Sequence, residues 1–134
     1  MKLRQLSPIL VALACAACDS TPTAPTPTVK PIDVNVYSSN VVPGGSASRE
    51  FTLITGGDVA ATLTSTTPAG TMLGLGLGIP RSDGSCALSG AVTTSAGDSA
   101  QIAMSADAGL FCVKVYDPGS LAAPVSFTLS ISRP

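Results

Sequence analysis

Two cysteines, Cys86 and Cys112, stand in the body of this 134-residue chain, and the chemistry they offer is a crosslink. A redox-active pair calls for a CxxC-like arrangement or a lowered thiol pKa, and neither is visible. Closing the loop between them would stabilise the fold by roughly 3.5 kcal/mol through the unfolded state. Catalytic sets are harder to assemble. The chain has no histidine, which removes Ser-His-Asp and Cys-His nucleophile arrangements and the common His-based zinc sites. A Ser-Lys dyad would have to use Lys30 or Lys114, and neither sits in an activating motif. Asp58, Asp83, Asp98, Asp107 and Asp117 all fall in or beside turn signals, where Asp bonds its own backbone, and no spaced Asp-x-Asp-x-Asp-Gly pattern offers calcium its oxygens. We therefore expect no catalytic residue, no metal and no cofactor. The remaining feature with chemical interest is Gly74, Gly76 and Gly78, which alternate with Leu73, Leu75, Leu77 and Ile79. Glycine inside a strand marks close approach of a backbone or a ligand, so these three are the candidate ligand face, beside the plain reading that a neighbouring segment packs on them.

The N-terminus positions the whole. Met1-Lys2-Leu3-Arg4 is basic, and Leu6 to Ala17 is apolar apart from Ser7 and Pro8, as in a secretory signal peptide. That run is shorter than the ~20 residues that span a bilayer. It ends Leu13-Ala14-Cys15-Ala16-Ala17-Cys18-Asp19, which resembles the lipobox of bacterial lipoproteins. Cys15 and Cys18 compete for the lipidated position. Cys18 is preferred, because cleavage after Ala17 leaves Cys86 and Cys112 as an even pair and begins the mature chain at its polar tether. An ordinary secreted protein cleaved near Ala17 is the alternative. Each buried methylene of an acyl chain contributes ~0.8 kcal/mol, so a triacylated Cys18 would hold the protein at a membrane. Asp19 resembles the inner-membrane retention signal of enteric bacteria, and the choice between inner and outer membrane stays open.

Residues 18–31 form a Thr/Pro-rich tether with Pro22, Pro25, Pro27 and Pro31. At ~3.1 Å per residue it could hold the following domain about 35 Å from the lipid. From residue 32 to 134 short alternating segments are separated by Gly, Pro and Asp. The best bounded is Gly109 to Asp117, with Phe111, Val113 and Val115 on one side and Cys112, Lys114 and Tyr116 on the other. Val125, Phe127, Leu129 and Ile131 likewise share one face. Phe51 and Leu53, the turn Gly56-Gly57-Asp58, then Val59 to Thr64 predict a β-hairpin, and Ser89 to Ser99 reads as a polar connection. The pattern predicts about eight strands and no helix after the leader, an all-β antiparallel two-sheet sandwich.

The order Phe51-Thr52-Leu53, Val59 to Leu63, Leu73-Gly74-Leu75-Gly76-Leu77, Ala108 to Val115 and Phe127-Thr128-Leu129-Ser130-Ile131 resembles the bacterial pre-peptidase C-terminal domain, over roughly residues 47 to 132. The resemblance implies a jelly-roll-like sandwich of the kind appended to secreted enzymes. The chain holds no peptidase, and Gly74 and Gly76 stand where the family often has an acidic residue. Collagen-binding relatives use calcium, but no acidic cluster here matches, so no functional residue carries over.

Five basic and eight acidic side chains follow Cys18, a net charge of −3, and they are scattered, which leaves nucleic acid no electrostatic footprint. The expectation is a lipid-anchored, exported, non-catalytic binding or accessory module in the bacterial cell envelope. Its partners would be the membrane through the lipid and an envelope protein or an extracellular polysaccharide. With five aromatic residues and no Trp, protein partners are favoured. A structural surface lipoprotein without a discrete ligand is the alternative, and a carboxylate-based hydrolase the weaker one.

Overall fold

Val125, Phe127, Leu129 and Ile131 are buried while Ser126, Thr128, Ser130 and Ser132, alternating with them, face outward. The computed structural model describes residues 32–134. The expected signal peptide, Cys18 and the expected tether lie outside the described residues. Eight strands follow in order: β1 (Asp33–Val41), β2 (Ser46–Leu53), β3 (Gly57–Thr67), β4 (Leu73–Pro80), β5 (Cys86–Thr94), β6 (Ile102–Ala106), β7 (Gly109–Tyr116) and β8 (Val125–Arg133). They form two antiparallel sheets of four, ordered β1-β8-β3-β6 and β2-β7-β4-β5. First pairs with last, second with seventh, third with sixth and fourth with fifth, and consecutive pairs fall in alternate sheets. This is the jelly-roll form of a β-sandwich.

The inner faces meet in one core. The sheet of β1, β8, β3 and β6 contributes Val41, Val59, Ala61, Leu63 and the apolar side of β8; the other contributes Phe51, Leu53, Leu73, Leu75, Leu77, Val113 and Val115. At the β1–β2 border of the sandwich, Tyr37 packs edge-on to Phe127 with centroids 5.8 Å apart, and the Arg49 guanidinium sits 5.2 Å from the Tyr37 ring centroid.

Two expectations are corrected. β2 and β3 do not form a hairpin: β2 pairs with β7, while β3 pairs with β6 and β8 in the opposite sheet. Phe51 and Leu53 face Val59, Ala61 and Leu63 across the core, so the short link carries the chain from one layer to the other. Period-two alternation reports which face is buried and is silent on the pairing partner. The polar run from Ser89 is also not all connection, since β5 continues to Thr94 as an edge strand with a largely solvated face.

Local devices set the registers. β3 carries a bulge against β8 between Leu63 and Ser65. Thr64 and Ser65 therefore both point outward, and Thr66 returns to the interior. Beyond the end of β6, the side-chain amide of Gln101 takes over the pairing of β3. Its Oε1 accepts the Leu63 N–H at 2.7 Å, and its Nε2 donates to the Leu63 carbonyl at 3.1 Å.

Candidate functional site

Short hydroxyl side chains at alternate positions of β8 run as an uncharged row along the outer face of the β1-β8-β3-β6 sheet. The register sets Ser38 of β1 opposite Thr128 and Asn40 opposite Ser126, and on the other flank Ser65 opposite Thr128 and Thr67 opposite Ser126. Toward the far end of the sheet, Ser130 lies between Val36 and Thr62, and Ser132 between Val34 and Ala60. Between β1 and β3, Ser126 and Thr128 of β8 form the floor of a trough. Its volume is about 310 Å³ and it is lined by Ser38, Asn40, Ser65, Thr67, Ser126 and Thr128 among others, with no charged side chain.

The trough is partly tied together. Ser38 and Thr128 share a hydrogen bond of 3.1 Å, the Ser126 hydroxyl donates to the Asn40 Oδ1 at 2.7 Å, and the Thr64 hydroxyl donates to the Thr128 carbonyl at 3.1 Å. A hydroxyl has one donor and two acceptor lone pairs, so these contacts leave acceptor capacity at each group. The trough can give and take hydrogen bonds with neutral partners; no titratable side chain lines it, and the one aromatic in its lining, Phe127, is buried and offers no face for stacking.

The sequence-predicted site residues lie on the other sheet. Leu73, Leu75 and Leu77 of β4 point into the core, and Gly74, Gly76 and Gly78 point outward but are themselves buried. The Tyr116 ring occupies the space over Gly74, a Leu88 methyl would stand 2.7 Å from a β-carbon at Gly76, and the Ala87 carbonyl closes on Gly78. The room over the glycine row is thus taken by the protein's own neighbouring strands. At Gly78 the reason is close backbone approach, because the β4–β5 register slips between Leu77 and Gly78.

Cys86 and Cys112 form the disulfide, with Cα atoms 5.9 Å apart and 26 positions apart in sequence. β5 and β7 do not pair with each other but flank β4, so the bond reaches across β4, where Gly78 lies opposite Cys112.

Two of the turn aspartates organise loops. Asp117 Oδ2 accepts the Gly44 N–H at 2.8 Å, and its Oδ1 accepts the N–H groups of Gly119, Ser120 and Leu121 at 2.8, 3.0 and 3.1 Å. These backbone donors, that of Gly44 foremost, hold the Asp117 carboxyl below the usual carboxylate range. Asp83 is lowered in the same sense by the hydroxyl and backbone N–H of Ser85. Among the described residues no three acidic or cysteine side chains cluster closely enough to hold a metal ion.

Only the floor of the trough is written in the sequence, as the Ser-x-Thr-x-Ser-x-Ser alternation of β8, which carries no information beyond solvent exposure until β1 and β3 are placed beside it. No protein-family model matches the chain, and no curated protein matches it.

Proposed function

We propose that the protein is an exported, lipid-anchored accessory module, non-catalytic, that holds a neutral, hydroxyl-rich polymer of the cell envelope against the outer face of the β1-β8-β3-β6 sheet. The observation that carries this reading is the charge-free trough over β8, in which the lining side chains named above are hydroxyls and one amide. Such a surface matches the hydroxyls of a polysaccharide, and repels neither sign of charge. Net hydrogen bonds contribute about 1 kcal/mol each, so affinity for a single sugar is weak and retention depends on many contacts along a chain. Anchoring at Cys18 fits that mode of action, since a tethered module needs only weak contacts to hold a polymer near the membrane. On the motifs of β7 and β8 we also place the domain near the pre-peptidase C-terminal domains, which serve secreted enzymes as appended modules.

A second reading, a structural surface lipoprotein without a ligand, is favoured by the three hydrogen bonds through which the trough satisfies itself. One experiment separates the two. The soluble chain, residues 20–134, is incubated with insoluble neutral polysaccharides and with solubilised envelope proteins, and bound protein is measured against total. Saturable retention on polysaccharide that Thr128→Arg abolishes and Glu50→Gln leaves intact supports the polymer reading. Retention only on envelope protein, or none, overturns it. The anchor is tested separately: Cys18→Ala should release the full chain from membranes, and persistent detergent-phase partitioning of that variant would sink lipidation.

A further inference from the structure

The two sheets have four edges, β1, β6, β2 and β5, and three of them carry the protections that keep a strand edge from recruiting another. β6 is only five residues long. β2 presents Arg49 and Glu50 in mid-strand. β5 is bulged, the register slipping so that Ser89 has no partner on β4, and its first residue is fixed by the disulfide. β1 has none of these. It is nine residues long, runs in unbroken register with β8 from Asp33 to Val41, and contains neither proline nor a basic residue. Its one charge, Asp33, is at the end and engaged by Arg133, Nη2 to Oδ2 2.9 Å. Val34 and Val36 on its outer side are 55% and 67% exposed.

We infer that the β1 edge pairs antiparallel with β1 of a second copy of this chain, about a two-fold axis through Asn35. In that alignment Val34 lies opposite Val36 of the second copy and Val36 opposite its Val34, which covers both exposed valines. Asn35 meets the identical amide, a group able to donate and accept at once, and Asp33 lies opposite Tyr37, so no like charges face each other. A two-fold contact of this kind is isologous and closes at two chains. The chain's own preceding segment is a poor occupant. Between Pro22 and Pro31 its prolines, with Pro25 and Pro27, leave no run longer than three residues with a full set of backbone donors.

Pairing at β1 joins two four-stranded sheets into one continuous antiparallel sheet, with both hydroxyl troughs on the same side because the axis stands perpendicular to it. A strand-to-strand contact is a small interface, so the association is weak and reversible in solution. It is strengthened wherever chains are held together at a surface. The inference does not depend on what the trough binds.

Sedimentation equilibrium on residues 20–134 through the micromolar and millimolar ranges tests it. The expected result is a monomer–dimer equilibrium whose dissociation constant rises about tenfold or more in Val36→Lys and in Val36→Glu, and returns toward the wild-type value in an equimolar mixture of the two variants. Val36 is exposed, so both variants should keep the wild-type thermal midpoint, and the mixture separates lost pairing from lost folding. Wild-type chain that stays monomeric at every concentration, association that runs past two chains, or a dimer indifferent to both substitutions overturns the inference.

Discussion

The ring of Tyr116 lies over Gly74, its register partner across β4 and β7, and fills the space that a side chain at residue 74 would need. Glycine there is a packing requirement of the tyrosine. Gly74→Ala forces the ring aside, and overpacking of this kind costs about 1–3 kcal/mol. In a Tyr116→Ala background the same substitution should cost far less. Denaturant unfolding of the four variants gives the coupling, expected at about 1 kcal/mol or more. Additive effects would mean that the ring and the glycine are independent.

The strength of the alternation decided what could be read without coordinates. Phe127, Leu129 and Ile131 had to share a buried face, and Val113 and Val115 likewise, because nothing else buries side chains two apart. The same rule could not say that Phe51 and Val59 belong to opposite sheets, since both arrangements bury the same residues. Strict alternation also assigns Ser65 to the interior beside Leu63. The bulge at Thr64 reverses this, and the signal for it is the partner strand β8, not any residue of β3. The disulfide was legible by counting cysteines. The trough was not, because it is made by three strands separated by up to 90 positions, as the Ser38–Thr128 bond shows.

The residue that the bulge turns inward is exposed by only 7%, and its hydroxyl has no hydrogen-bond partner. Thr66→Val removes that stranded group at nearly constant shape. Leaving a buried polar atom unpaired costs on the order of 1–3 kcal/mol, so the variant should gain about 1 kcal/mol, or roughly 4–8 °C in thermal midpoint for a domain of this size. Calorimetry at neutral pH checks it, and a lower midpoint would show that the hydroxyl is satisfied in solution.

Asp117 joins the β1–β2 turn to the β7–β8 loop through Gly44 and Leu121, and its folded-state pKa lies below the ordinary value of 3.8. A depressed carboxyl stabilises the fold above the unfolded pKa, and the contribution fades as pH falls through the lowered folded value. The domain should therefore lose stability on acidification below about pH 4. Asp117→Asn keeps one acceptor oxygen but no charge, so its thermal midpoint should be lower at neutral pH and should change less with acid. Asp83, lowered by Ser85, remains as a second contributor in that variant. Parallel acid limbs for wild type and variant would remove Asp117 from the account.

Gln101 completes a ladder that β6 is too short to finish, and the amide is specific to the task because Leu63 needs both an acceptor for its N–H and a donor for its carbonyl. The carbonyl has a second donor in Gly97 at 2.9 Å, whereas Gln101 Oε1 is the partner at the N–H. Gln101→Ala should accordingly cost about 1–3 kcal/mol and speed hydrogen exchange at the Leu63 amide. Gln101→Glu keeps an acceptor for the N–H, yet its ionised carboxylate confronts the Leu63 carbonyl. Protonation turns one oxygen into a donor and restores the pattern. The stability of the Glu variant relative to wild type should rise as pH falls through the carboxylate range, and a pH-independent difference would show that the side chain acts by packing alone.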